Sequence, residues 1–389
     1  MKKIQVFIAA IMMVLISDAR IMAREYGSVD IHGFVAQGFL QSTDNNFLAN
    51  SEEGSFEFNE MGINFGTQLS SNLHMGLQLF ARDLGDVGND QIRVDWAYGD
   101  YSWREWLGLR AGLLKNYLGL HSATRDIDML RTPILLPQAI YEEEVRDLFT
   151  SMKGFELYGN INIHSAGILK YQLSCVDLYL PLDSGTIQYV ERTDSAIDEV
   201  TSIEFNGPAY LYKAEWITPL EGLRVAYSGM KLAYQIDLTT VTAVALTRDI
   251  DHMYMDFISL EYTLGDLLLS GEYMINRSKS ATFLTGMPSM VLSRDTLNRD
   301  SWYAAASYRF TYWFEMGTYF GQGVTDNDAS GPNNELNDIC VTTRFDIEDG
   351  WIVKLEGHAM DGLKGTYPNA DGSTDKDWFL FAAKVSYNF

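Results

Sequence analysis

From Trp378 to Phe389 the chain reads Trp-Phe-Leu-Phe-Ala-Ala-Lys-Val-Ser-Tyr-Asn-Phe. Alternate residues (Phe379, Phe381, Ala383, Val385, Tyr387, Phe389) are apolar or aromatic, and Lys384, Ser386 and Asn388 fall between them. Successive side chains of a strand point to opposite faces, so this segment has one apolar face and one wet face. Such a strand, ending on an aromatic residue, suits a wall between lipid and water. In hydrocarbon an open sheet edge strands backbone groups at several kcal/mol each, so the sheet has to close on itself. The expectation is an all-β fold: a transmembrane antiparallel β-barrel.

The same alternation recurs in about sixteen segments. Their centres fall near Phe34, Ile63, Leu77, Val94, Leu109, Leu157, Leu173 and Tyr212, then near Val225, Leu260, Leu269, Ala304, Thr318, Val341, Leu355 and Ala383. In the third segment Leu73, Met75, Leu77, Leu79 and Ala81 share one face against His74, Gln78 and Arg82, and Phe80 breaks the pattern. Tight turns at 70–72, 103–106, 164–167, 264–266 and 347–350 alternate with longer polar connections at 42–54, 117–151, 181–202, 236–251, 279–299, 325–334 and 361–375. Short turns at one end and long loops at the other are the rhythm of a barrel that spans an outer membrane. Trp103, Trp106, Trp216, Trp302, Trp313, Trp351 and Trp378 recur near segment ends, where amphipathic rings settle at headgroup level.

Met1-Lys-Lys and the apolar run that follows have the form of a secretory leader, so residues 1–23 are expected to be removed by cleavage near Ala19 or Ala23. Residues 24–389 then form one barrel domain, since no repeat, linker or shift of composition divides them. The formal net charge of −23 makes nucleic acid an improbable partner and favours attraction of cations. Two cysteines in 389 residues exclude a disulfide scaffold; Cys175 belongs to an outward set and Cys340 to an inward one. The six histidines show no ligand spacing, which gives no metal site. Residues 326–331 with Glu335 read as an ordinary turn, because Glu335 comes too early for a twelfth-position calcium ligand. No serine–histidine–acid spacing suggests an enzyme, and no cofactor is implied.

Residues 117–151 are too apolar for a solvated loop: Met129, Leu130, Ile134, Leu135, Leu136, Ile140, Val145, Leu148 and Phe149 need cover. In a barrel the cover is the lumen, so this connection, the third external one in chain order, is expected to fold inward. It carries Asp126, Asp128, Glu142, Glu143, Glu144 and Asp147, which would give an acidic constriction. Inward positions on the neighbouring strands hold Arg82, Arg93, Arg110, Arg344, Lys354 and Lys384, a basic arc that closure makes continuous. Facing one another across water, the two sets would create a transverse field. Alternatively each cation pairs locally with Asp95, Glu356 or Asp346. Inward Tyr158 and Tyr303 offer stacking surfaces for a sugar.

The leader, the alternating strands, the exceptional third loop and the terminal Tyr387-Asn-Phe389 resemble the Gram-negative general porins. Stretches such as Arg82-Asp-Leu-Gly-Asp-Val-Gly88 and Arg125-Asp-Ile-Asp-Met-Leu-Arg131 also resemble less characterised porin-like outer-membrane proteins of proteobacteria. The resemblance implies a homotrimer in outer-membrane lipid, reached through the periplasm, with Phe389 as the signal read by the outer-membrane assembly machinery. It implies passive diffusion of ions and small hydrophilic solutes, and the acidic charge adds a preference for cations. A channel selective for sugar, dicarboxylate or phosphate, and a plugged structural or adhesive barrel, are the alternatives.

Overall fold

The computed structural model describes residues 28–389 apart from 49, 86, 87, 89, 194–196, 243 and 370. The leader and its cleavage points lie outside the described residues. The strands are β1 (Val29–Ser42), β2 (Asn59–Gln68), β3 (Leu73–Asp83), β4 (Arg93–Arg104), β5 (Leu107–Lys115), β6 (Ser151–Asn162), β7 (Ile168–Asp177), β8 (Val200–Asn206) and β9 (Ala209–Ile217). They continue as β10 (Leu223–Thr240), β11 (Ala245–Leu264), β12 (Leu267–Leu284), β13 (Val291–Thr311), β14 (Phe314–Val324), β15 (Glu335–Glu348), β16 (Trp351–Gly362) and β17 (Asp377–Asn388). Among the described residues a single α-helix, α1 (Gly185–Thr193), sits in the connection between β7 and β8.

Each strand pairs antiparallel with its neighbours, and β1 pairs with both β2 and β17, which closes the barrel. β8 and β9 lie end to end along β10, so they are two halves of one stave and the barrel has sixteen. The break between them is local chemistry. Pro208 has no N–H to give the ladder, and Gly207 holds φ +142°, where an added Cβ would meet the Ala233 carbonyl oxygen at 2.7 Å. β10 answers with a register shift between Leu232 and Tyr234. All sixteen expected segment centres fall within strands.

The expected loops at 236–251 and 279–299 are strand instead. β10 to β13 are 18, 20, 18 and 21 residues long, and their pairing continues to Leu246–Leu284 and beyond. Past the lipid band a hairpin still satisfies its backbone but needs no apolar face, so polar residues there do not end it. Arg248 and Asp295, both half exposed, pair across the tip at 3.5 Å.

Burial is reversed from that of a soluble domain. Leu157, Leu173, Ile258, Ile339, Phe379 and Phe381 are exposed on the outer face, whereas Gln78, Glu156, Glu272, Asp338, Lys354 and Lys384 are buried on the inner one. Cys175 is exposed and Cys340 buried, on opposite faces as expected, and both are free. Phe80, which broke the alternation, turns inward against Phe34 and lies beneath the Arg146 guanidinium. Trp103, Trp106, Trp216, Trp313 and Trp351 are exposed at the short-turn end. Trp378 does not belong to that girdle: it is buried against Phe47 and donates its indole N–H to the Gly362 carbonyl at 3.0 Å.

The apolar cores sit inside the barrel. Leu40, Trp378 and Leu380 of the wall pack on Phe47, Leu48 and Phe58 of the connection between β1 and β2 and on Ile134 and Leu135 of the connection between β5 and β6. Across the bore Leu211, Met230, Met255, Phe257 and Met274 pack on Tyr117 and Leu118. The third connection, residues 116–150, therefore folds inward and spans the lumen, because both apolar stretches of the wall need its side chains to cover them.

Candidate functional site

The ends of the third connection, here called L3, are fixed where it leaves β5 and enters β6: the Asn116 amide donates to the Thr150 carbonyl at 3.0 Å. From there it crosses to the β9–β12 wall, where Lys213 donates to the Gly119 carbonyl at 2.8 Å. Gly119 has φ +65°, and a Cβ would meet the Tyr141 hydroxyl at 2.5 Å and Glu272 at 2.8 Å, so only glycine passes here. Buried Glu272 gathers four donors: the Leu120 amide at 2.8 Å, Ser259 at 2.6 Å, Tyr303 at 3.0 Å and the Tyr141 hydroxyl. On the far wall Glu356 accepts the amides of Ile134 at 2.6 Å and Leu135 at 2.9 Å. Buried carboxylates thus take the backbone N–H groups that an irregular loop cannot pair with itself.

The acidic residues meet the basic arc directly. Glu143 binds Arg82 at 2.7 Å and Arg125 at 2.8 Å, and Asp147 binds Arg82 at 3.4 Å and Arg93 at 3.5 Å. Asp128 binds Lys354 at 3.0 Å and Lys384 at 3.5 Å, and accepts from Ser386 at 2.8 Å. Asp126 binds Lys115 at 2.6 Å, and Glu142 lies between Arg299 and Lys364. Where the sequence placed a water gap between the two sets, the structure has contact, so most of these charges are spent on each other. Arg110 departs from the set altogether: it pairs with Asp100 and Glu156 of the wall, each at 2.8 Å, and covers the Tyr158 ring at 4.1 Å. Arg344 binds Asp346 at 2.9 Å and reaches L3 through the Met129 carbonyl at 2.6 Å.

Burial would raise the Glu142 carboxyl, but Arg299 and Lys364 hold it down to about 2. Glu143 and Asp128 are also buried, and are held well below the usual range by Arg125 with Arg146 and by Lys354 with Lys384 respectively. Glu144 goes the other way. Burial, and then the neighbouring Glu142, push it up to about 7, and its Oε1 accepts no hydrogen bond among the described residues.

Strand parity could have flagged several residues that the sequence reading passed over, Glu60, Glu272 and Arg299 among them, since all project inward. Glu60 binds Arg146 at 3.0 Å and Lys384 at 2.5 Å, which joins the two sides of the arc. The stacking role expected for Tyr158 and Tyr303 is excluded by contact: Arg110 covers one, and the other is buried against L3. Phe389 ends the seam between β17 and β1, exchanging backbone hydrogen bonds of 3.0 Å with Gly33, its ring exposed on the outer face.

Two vestibules flank L3. One of about 640 Å³, toward the short turns, is bounded by Arg131, Arg224, Glu261, Arg309, Glu315 and Arg344. The other, of about 420 Å³, opens beside Arg82, Arg93, Asp95, Asp147, Tyr179 and Asp183. No family model and no curated protein matches this chain. Solved structures do. OmpF of Salmonella typhi, in complex with daunomycin, superposes with a TM-score of 0.59 at 12% identity over 93% of this chain and 98% of that one. The fold is that of the outer-membrane porins. An anion-selective porin from Comamonas acidovorans gives 0.53 at 13% identity over 93% and 99%. In-vitro folded OmpT of Vibrio cholerae, in its trimer form, gives 0.54 at 12% over 94% and 100%.

Proposed function

We propose that this protein is an outer-membrane diffusion channel for ions and small hydrophilic solutes. The observation that carries the reading is the closed sixteen-stave wall, apolar outside and charged inside, with a built loop held across its bore between two vestibules whose linings include charged side chains. A barrel of about sixteen strands is wide enough for an aqueous channel, whereas about eight leave an interior that side chains fill. Solutes would pass along L3, whose ion pairs set its position and narrow the passage.

A preference for cations remains part of the proposal, but its seat moves. Within L3 the acids other than Glu144 are neutralised by contact. The outer mouth is different: the connection between β1 and β2 carries Asp44, Glu53 and Glu57 without a single Lys or Arg. Such a field concentrates cations at the entrance. Assembly as a homotrimer, delivery through the periplasm and use of Phe389 by the assembly machinery belong to the same reading, supported by the porin-like wall and the exposed terminal ring.

The bonding of L3 to both walls favours one second reading, a barrel that stays shut and works through its outer loops. Proteoliposome swelling separates the two. Influx of small sugars that falls off with solute size is expected, and folded protein that admits none would favour the shut barrel.

A further inference from the structure

β15 and β16 are paired so that Cys340 stands opposite His358 and Thr342 opposite Glu356. Cys340, Glu356 and His358 all face inward and are at most 2% exposed, and one ligand atom from each lies within 4.8 Å of the other two. His358 Nε2 is 3.0 Å from a Glu356 oxygen, and Nδ1 is 3.0 Å from Asp338, which also accepts the Tyr319 hydroxyl at 2.9 Å. With a carboxylate at each nitrogen, both nitrogens donate and the ring is a cation. The strand register assembles this group from residues that show no ligand spacing along the chain.

We propose that Cys340, His358 and Glu356 bind a divalent ion of the zinc class. Thiolate, imidazole and carboxylate are zinc donors, and three protein ligands leave the fourth tetrahedral position to water or another ligand. Asp338 is already placed as the partner that fixes the ligating tautomer by holding Nδ1–H, which is how metal-bound histidines are oriented. Charge balance favours the exchange. Without metal, the group comprises two carboxylates, an imidazolium and a thiol, for a net charge of −1. The ion displaces the Nε2 proton and the Sγ proton, both go to solvent, and two carboxylates, a thiolate, neutral imidazole and the dication again sum to −1. No electron moves, and the buried site never carries more charge than it does already, which matters where unpaired charge is costly. The second Glu356 oxygen still holds the Ile134 amide, so the ion would lock the apex of L3 to the wall.

The test is titration of cobalt(II) into the refolded full barrel, with the ion supplied either during or after refolding, because L3 covers the site. One cobalt per chain is expected, with a thiolate-to-cobalt charge-transfer band that zinc abolishes. The band should survive Cys175→Ala and vanish in Cys340→Ser. Asp338→Asn should weaken binding by about 10- to 100-fold. Calorimetry in buffers of different ionisation enthalpy should show two protons released per ion. Absence of the band under both loading regimes would overturn the proposal, as would its persistence in Cys340→Ser. Should Cys340→Ser fail to fold, the Cys175→Ala spectrum and the proton count decide, since both use a barrel with an intact site.

Discussion

Glu144 is the residue of L3 whose chemistry is least settled by its surroundings. It is 5% exposed, with one carboxyl oxygen that accepts no hydrogen bond among the described residues and Glu142 as its neighbour, and its folded pKa is raised from 4.5 to about 7. A carboxyl raised in this way contributes stability that is full below its ordinary value and lost as pH rises through about 7. Glu144→Gln should therefore stabilise the barrel by about 1–3 kcal/mol near neutral to alkaline pH and change nothing in acid. Denaturant midpoints of the two proteins across that range check it, and parallel curves would contradict it. Arg82 sits at the opposite extreme, buried between Glu143 and Asp147. Arg82→Ala should cost about 3–5 kcal/mol, because it leaves buried charge uncompensated. It should also shift the reversal potential toward cations, and Arg82→Ala with Glu143→Gln should shift it back. Arg110→Ala, which touches only wall partners, should leave the motion of L3 unchanged.

L3 is a loop whose order comes from the wall, through Glu272 on one side and Glu356 on the other. Glu272→Ala removes the acceptor of the Leu120 amide and of the Tyr141 hydroxyl. Excess open-channel noise is the expected result, read from the current power spectrum, and a quiet trace would show that L3 is held by its ion pairs alone. The strands and the inward turn of L3 were legible in the sequence because each follows from one solvent meeting one face. Phe379, Phe381 and Val385 must meet lipid, and Ile134, Leu135 and Leu136 must be covered. The tips of β10 to β13 were not legible, since beyond the lipid the alternation that marks a strand is no longer required. Nor was the pairing of Asp128 with Lys354 and Lys384, which depends on how far L3 reaches across the bore. Parity placed Lys384 inward, but it could not say whether water or a carboxylate would meet it. The expected field across a gap became contact for that reason.

At the scale of the whole barrel, the acidic connection at the outer mouth and the neutralised constriction make different claims about salt. A field at the mouth acts over a Debye length of about 10 Å at 0.1 M and about 3 Å at 1 M. Cation preference should accordingly fade as salt is raised, whereas a preference set by unpaired charge at L3 would persist. Replacing Asp44, Glu53 and Glu57 by their amides should reduce the low-salt preference without changing conductance at high salt. All of this presupposes a continuous aqueous path past L3, and single-channel current through the refolded protein in a planar bilayer tests that path most directly. Stable conductance steps, larger when L3 is shortened, are the expected result. Demonstrably folded protein that passes no current, and begins to conduct only once L3 is cut back, would show that the loop is a plug and that the barrel is not a channel.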